Sequence, residues 1–330
     1  MSNFSKFLVQ PRLTSSAVKA ALLTVCVVLC AAALWHRPVT ASSEPAIQFK
    51  FTAINFPDAF WTVAYAINDH GEIVGQYFDA SNGARSRGFV KTEKGFSRLD
   101  FPGGDTVATT LLGVNSEGNI VGLHSVSSGP PLAPVQGFIH DGAHFTDIRV
   151  PGDAGYTVIN GINDSDELVG VTSDTGGFGG FLYSRNGFSH ISFPGTLFVN
   201  TAPSAINNSG TIVGTIDCDG GGCESGFLYK DGKYIKIVMP GAYTMFTSLG
   251  GVNNRGDLGG SWTDTNSAQH GFVEVEGHFT SIDFPGASAN GNTAVLGIND
   301  HDEIVGLYNG GDCTGARSMC GFVAKPVKAD

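Results

Sequence analysis

Apolar and polar positions follow one order along this chain, and the order returns six times. In the first copy an apolar run, Val63 to Ile67, ends in Asn68; a polar turn follows; a second apolar run, Ile73-Val74, ends in Gly75. The Asn recurs as Asn115, Asn163, Asn207, Asn253 and Asn299, and the Gly seven positions on as Gly122, Gly170, Gly214, Gly260 and Gly306. Six positions before each Asn stands a Thr: Thr62, Thr109, Thr157, Thr201, Thr247 and Thr293. Two short apolar runs around an Asn-Asp-x-Gly turn or a close variant predict a β-hairpin. Gly71, Gly118, Gly210 and Gly256 supply its left-handed residue, and Asp166 and Asp302 take that place in two copies. The residue two before each Asn is small (Ala66, Gly113, Gly161, Ala205, Gly251, Gly297), as a crowded innermost strand requires.

A second hairpin follows in each copy. It begins at a Gly-Phe pair: Gly88-Phe89, Gly137-Phe138, Gly180-Phe181, Gly226-Phe227 and Gly271-Phe272. Thirteen residues after each of these Phe comes a Pro that closes a strand of the type Phe96…Leu99…Phe101-Pro102. A Pro lacks the ladder donor and suits a strand end or a sheet edge. The sixth copy stops after Gly321-Phe322, while the first strand, Phe51…Ile54…Phe56-Pro57, has no partner ahead of it. Four short strands in a repeat of about 46 residues mark a β-propeller blade. A β-solenoid is the competing reading, but its coils lack two tight hairpins per unit. The expected fold is therefore all-β: a six-bladed β-propeller with four antiparallel strands per blade, its ring closed by strand 51–56 joining the last blade. Closure of that kind removes exposed sheet edges.

Loop lengths sort by face. The Asn-to-Gly and Phe-to-Pro spacings are constant, whereas the connections between the two hairpins, and between one copy and the next, vary. One face thus carries uniform turns and the other variable loops, and binding residues concentrate on variable loops held by a rigid scaffold. At the mouth of those loops, two residues after each Gly, stand Tyr77, His124, Thr172, Ile216, Trp262 and Tyr308. Trp61, Tyr156, Phe198 and Tyr243 lie in the crossovers of the same face. Aromatic rings on a rim stack on sugars or peptides; the alternative is that they pack blade against blade. The ligand-binding positions expected on this reading are Tyr77, Trp262, Tyr308, Trp61 and His124.

Residues 1–41 read as a signal peptide. Lys6, Arg12 and Lys19 precede an apolar run from Ala20 to Leu34, short for a bilayer span, with small residues at Val39-Thr40-Ala41 for cleavage. An uncleaved anchor is the alternative. Residues 42–48 are then a linker, 49–326 the repeats and 327–330 a tail. The expected location is secreted, periplasmic or at a bacterial cell surface. The 330 residues carry a net charge of −11, and loss of Lys6, Arg12, Lys19 and Arg37 with the leader takes this to −15 (−11 − 4). Such a surface repels nucleic-acid phosphates and anionic membranes, so neither is an expected partner. Export permits disulfides, and Cys218/Cys223 and Cys313/Cys320 form two close pairs.

Catalytic and metal signatures are missing: no H-E-x-x-H or G-x-S-x-G occurs. Asp217, Asp219 and Glu224 crowd the Cys218–Cys223 loop in the manner of Ca²⁺ ligands, without an EF-hand spacing; a solvated acidic loop is the plainer reading, and no metal or cofactor is expected. The Asn-Asp turns are expected to cap their own backbone.

The Ile-Asn-Asp-x-Gly-x-Ile-Val-Gly repeat, with its Gly-Phe strand and Ile-Asp-Phe-Pro-Gly segment, resembles the bacterial extracellular HAF repeats over about residues 49–326. The triplets matching His-Ala-Phe are Arg87-Gly-Phe, Gln136-Gly-Phe, Gly179-Gly-Phe, Ser225-Gly-Phe, His270-Gly-Phe and Cys320-Gly-Phe, so only His270 keeps the His. The resemblance implies export and a repeat fold, and no catalytic residues. The function expected is a non-catalytic, monomeric binding module for an extracellular glycan or protein. A carbohydrate-active hydrolase or lyase using Asp174, Asp217 or Asp264 at the mouth is one alternative, and a purely structural surface protein is another.

Overall fold

The computed structural model describes residues 47–79, 85–104, 106–126, 134–174, 177–194, 201–217, 224–243, 246–310, 313 and 319–327, whose named elements are all β-strands. The leader, Phe198 and the Cys218/Cys223 pair lie outside the described residues. Four repeats form four-stranded antiparallel sheets in chain order. These are β2 (Trp61–Ile67), β3 (Ile73–Asp79), β4 (Arg85–Thr92) and β5 (Gly95–Arg98); β6 (Thr106–Val114), β7 (Ile120–Val126), β8 (Val135–His140) and β9 (Phe145–Ile148); β10 (Thr157–Ile162), β11 (Leu168–Asp174), β12 (Gly177–Ser184) and β13 (Gly187–Ile191); and β14 (Thr201–Ile206), β15 (Ile212–Asp217), β16 (Glu224–Lys230) and β17 (Lys233–Ile237).

The remaining strands form one eight-stranded sheet. In it β18 (Thr247–Val252), β19 (Leu258–Thr263), β20 (Gln269–Val275) and β21 (His278–Ile282) repeat the meander. Beside them run β22 (Ala287–Ile298), β23 (Ile304–Gly310) and β24 (Cys320–Pro326). β1 (Phe49–Ile54) adds to β24 antiparallel, from Phe49↔Pro326 to Ile54↔Gly321. The expected partnership of the first strand with the last repeat is therefore present. Six separate four-stranded sheets are not. A parallel pair, Gln269↔Asn292, links β20 to β22 and merges the last two meanders, because β22 starts early and runs twelve residues. Val135↔Tyr156 is a single parallel bridge at the equivalent positions between the second and third repeats. The fold is a β-propeller.

Three devices recur in every copy, and each explains a repeated residue. First, every innermost strand carries a bulge: the register shifts at Ala64/Ala66, Leu111/Gly113, Ile159/Gly161, Pro203/Ala205, Leu249/Gly251 and Val295/Gly297. Opposite each bulge sits the repeat Gly. A Cβ on Gly170 would stand 2.0 Å from the Val158 carbonyl oxygen, and one on Gly75 2.0 Å from that of Val63 and 2.7 Å from the Phe89 ring. The Gly thus makes room for a displaced backbone and, in four copies, for the Phe of the Gly-Phe strand. Those Phe (Phe89, Phe138, Phe181, Phe227, Phe272, Phe322) are at most 1% exposed, each burial contributing about 1.5–3 kcal/mol.

Second, the small residue before each turn touches the next repeat. A Cβ on Gly161 would lie 2.9 Å from the Ala205 Cα, and one on Gly251 3.0 Å from the Gly297 Cα. Third, each repeat Thr, at most 3% exposed, accepts from the backbone N–H that precedes the crossover Pro: Phe56 N to Thr62 Oγ1 at 3.1 Å, and likewise at Phe101, Val150, Phe193, Met239 and Phe284.

The Asn holds the turns together across repeats. Asn68 Oδ1 accepts from the N–H of His70 and Glu72, while its Nδ2 donates to Glu72 Oε2 and to the Asn115 carbonyl at 3.0 Å. Asn115 donates to the Asn163 carbonyl, Asn163 to Asn207, Asn207 to Asn253, Asn253 to Asn299, and Asn299 back to Asn68, at 2.8–3.3 Å. The six amides form a closed cycle with every side-chain group satisfied at four of them. Capping is confirmed; the hydrogen bond between repeats is the addition.

Candidate ligand-binding site

The loop-mouth residues are placed by the crossovers. In three copies the residue before the crossover Pro folds over the position two beyond the next repeat Gly. Phe56 stacks on Tyr77 at 3.7 Å and 7°, Phe101 on His124 at 3.6 Å and 4°, and Phe284 on Tyr308 at 3.6 Å and 9°. Tyr77 is 5% exposed, His124 3% and Tyr308 0%. These three rings, expected on an exposed rim, are interior: a planar ring supplied by the crossover covers their faces. His124 Nε2 is also tied to Asp147 Oδ1 at 2.9 Å.

The two Trp remain partly exposed. Trp61 stacks on Phe78 at 4.3 Å and 18°, beside Phe60, which is 40% exposed. In Trp262's repeat the crossover residue is Met239, which has no flat ring to cover the indole, and Trp262 packs against the edge of the cluster containing Met239 and Phe272. Polar groups surround it. Trp262 pairs with His270 across β19–β20, with ring centroids 4.9 Å apart and planes at 29°. Its Nε1 donates to Ser281 Oγ at 3.3 Å. His270 Nδ1 lies 2.8 Å from Asp283 Oδ1, and its Nε2 lies 3.8 Å from Asp264 Oδ2.

Asp264 is fixed by the loop that it organises. Its Oδ1 accepts from the N–H of Asn266 and of Ala268, both at 2.8 Å. Its own N–H donates to the Ala268 carbonyl, and its carbonyl accepts from Ser267, whose φ is +67°. This is the geometry of the Asn turns, built with Asp in a variable loop. The backbone N–H of Ala268, with that of Asn266, holds the Asp264 carboxyl below its ordinary pKa, so it stays ionised beside His270.

The other carboxylates nominated for chemistry are spread out. Asp174 ends β11, Asp217 ends β15 and Asp264 follows β19, the same edge of three successive repeats. Asp217 does face Glu224 across β15–β16, and burial, with the Asp217 charge, pushes the Glu224 carboxyl up. Among the described residues no group of three His, Cys, Asp or Glu is arranged to hold a metal ion. Cys313 and Cys320 form the expected disulfide, with Cα atoms 5.8 Å apart. Among the described residues no helix is long and apolar enough to cross a membrane.

The axis holds a cavity of about 110 Å³, lined by the ends of the innermost strands and their Asn turns. Ligand pockets run to roughly 300–1,000 Å³, so this space suits a few waters and not a sugar. Tyr65, the bulge residue of β2, lies on its wall. Its hydroxyl accepts from Gln76 Nε2 at 2.8 Å, and burial pushes its pKa up to about 12.

The His270–Asp283 pair escaped the reading of the sequence, although its signal was there. His270 is the one His of the six triplets, and Asp283 belongs to the Asp-Phe-Pro segment thirteen residues later.

No protein-family model matches the chain, and no curated protein matches it. Solved structures do. A protein of unknown function from Dyadobacter fermentans aligns with a TM-score of 0.51 at 11% identity, over 86% of this chain and 100% of its own. AofleA from Arthrobotrys oligospora aligns at 0.50 and 13% identity, over 82% and 86%. The fungal lectin of Aleuria aurantia, a six-bladed β-propeller, aligns at 0.42 and 12% identity over 67% and 77%. At these identities the likeness is one of fold.

Proposed function

We propose that this chain is an exported, monomeric binding module of the HAF-repeat kind, whose variable-loop face takes an extracellular glycan or protein. On this reading the eight-stranded sheet counts as two blades, β18–β21 and β22–β24 with β1, which brings the propeller to six. Six repeats and a six-membered Asn cycle support that count. One observation carries the functional reading: Trp262 stays accessible among His270, Asp264 and Asp283, at a position where Tyr77, His124 and Tyr308 are sealed. Trp61 is a further partly accessible ring on that face, with Phe60 and Tyr243. The test is a binding screen of the purified chain against glycans and secreted proteins. Saturable binding is expected, and its absence throughout would leave a purely structural role.

A hydrolytic reading draws on the Asp217–Glu224 pair, since a carboxyl with a raised pKa facing a second carboxyl suits acid–base chemistry. Turnover of a polysaccharide by the wild type, lost in D217N and E224Q, would establish it. Binding without turnover would remove it.

A further inference from the structure

We infer that Trp262, Asp264, His270, Ser281 and Asp283 form a single subsite for a pyranose unit that carries no negative charge. This rests on the binding-module reading and narrows it to a glycan. The residues come from β19, the loop after it, β20, β21 and the residue following β21, so three neighbouring strands present them in one row. Each has a role that a sugar ring needs. The part of the indole left exposed beside His270 offers an apolar surface for C–H groups of the ring. Asp283, half exposed, has acceptor sites left for sugar hydroxyls beside its one contact with His270, and Asp264, which takes three hydrogen bonds from its own loop, has its remaining acceptor site on Oδ2. His270 is held in orientation by Asp283 and lies between the two carboxylates.

The site is also preorganised. Trp262 is anchored through Ser281, and the 264–268 loop is locked by the Asp264 turn, so little ordering is left to the moment of binding. Charge selects the class of sugar. Two carboxylates around one imidazole, on a chain of net charge −11, repel uronates and sulfated units and accept neutral or amino sugars. A protein partner fits less well. A stable protein interface covers about 800 Å² on each side. Of the exposed large hydrophobics among the described residues, Tyr243 lies in the crossover that meets β19 next to Trp262, whereas Phe60, Ile235 and Val327 belong to other elements.

The test is calorimetric titration of the full chain with neutral, amino and uronate oligosaccharides, repeated on W262A, W262F, D264N and D283N. D264N should fold, because Asn fills the same turn role at six other places. Saturable binding of a neutral or amino oligosaccharide is expected, weakened about tenfold or more in W262A and several-fold in D264N and D283N, and kept in W262F. Should W262A fail to fold, the other three variants decide. Glycan binding that stays within about twofold across D264N and D283N, and in W262A if it folds, overturns the subsite and leaves the module reading standing. Binding confined to uronates overturns it through the charge argument. Capture of a protein with no glycan bound overturns it while upholding the protein half of the broader proposal.

Discussion

At the scale of single residues, the repeat Asn and Gly are there for what they allow neighbouring backbone to do. Asn163 uses both amide hydrogens, one on Glu167 Oε2 and one on the Asn207 carbonyl. An Asp in its place keeps the two turn acceptors but sets a charge against a carboxylate and a carbonyl. N163D is therefore expected to lose about 1–3 kcal/mol in denaturant unfolding. N115D should lose less, because Asn119 and not a carboxylate stands four residues on. Equal losses would contradict the role given to the neighbouring acid. Gly170→Ala forces a Cβ into the Val158 carbonyl. It should cost at least about 1–3 kcal/mol, since the obstacle is backbone and cannot rotate away. Gly142→Ala would test strain alone, having φ +89° and open space around it.

Among the elements, the hairpins were legible and the crossovers were not. An Asn turn declares itself by local chemistry, and a Gly-Phe strand by local alternation, so strands β2 to β24 follow the repeat closely. The cover that Phe56 provides for Tyr77, or Phe284 for Tyr308, joins residues more than twenty positions apart, and nothing in the local pattern reports it. Spacing alone put Tyr77, His124, Tyr308 and Trp262 in one class. The class divides on whether the preceding crossover brings a ring, as at Phe101, or a Met, as at Met239. The bulges were likewise hidden, although the invariant Gly opposite them was their trace. The loop after β19 permits a check by pH. The folded Asp264 carboxyl is depressed, so its contribution to stability is complete above the ordinary carboxylate pKa of about 4 and is lost as pH falls through the lower folded value. A carbon-detected NMR titration should show Asp264 with a midpoint below that of a free aspartate. A midpoint at or above it would mean that the 266 and 268 amides do not hold it in solution.

For the molecule as a whole, the pairing of β1 with β24 brings distant parts of the chain side by side: Val327 N donates to the Gln48 carbonyl at 2.7 Å. The hydrogen bond from Asn299 to Asn68 has the same form as the five between consecutive repeats. No repeat is marked out as first by these contacts. A circular permutant, with residues 48 and 327 joined by a short linker and new ends opened in the 141–144 turn, should therefore refold with a melting temperature close to that of the parent. Collapse of that permutant would show that the order of synthesis matters where the contacts do not. The Asn cycle has no first member, so where the chain starts along it is set by the gene and not by these hydrogen bonds.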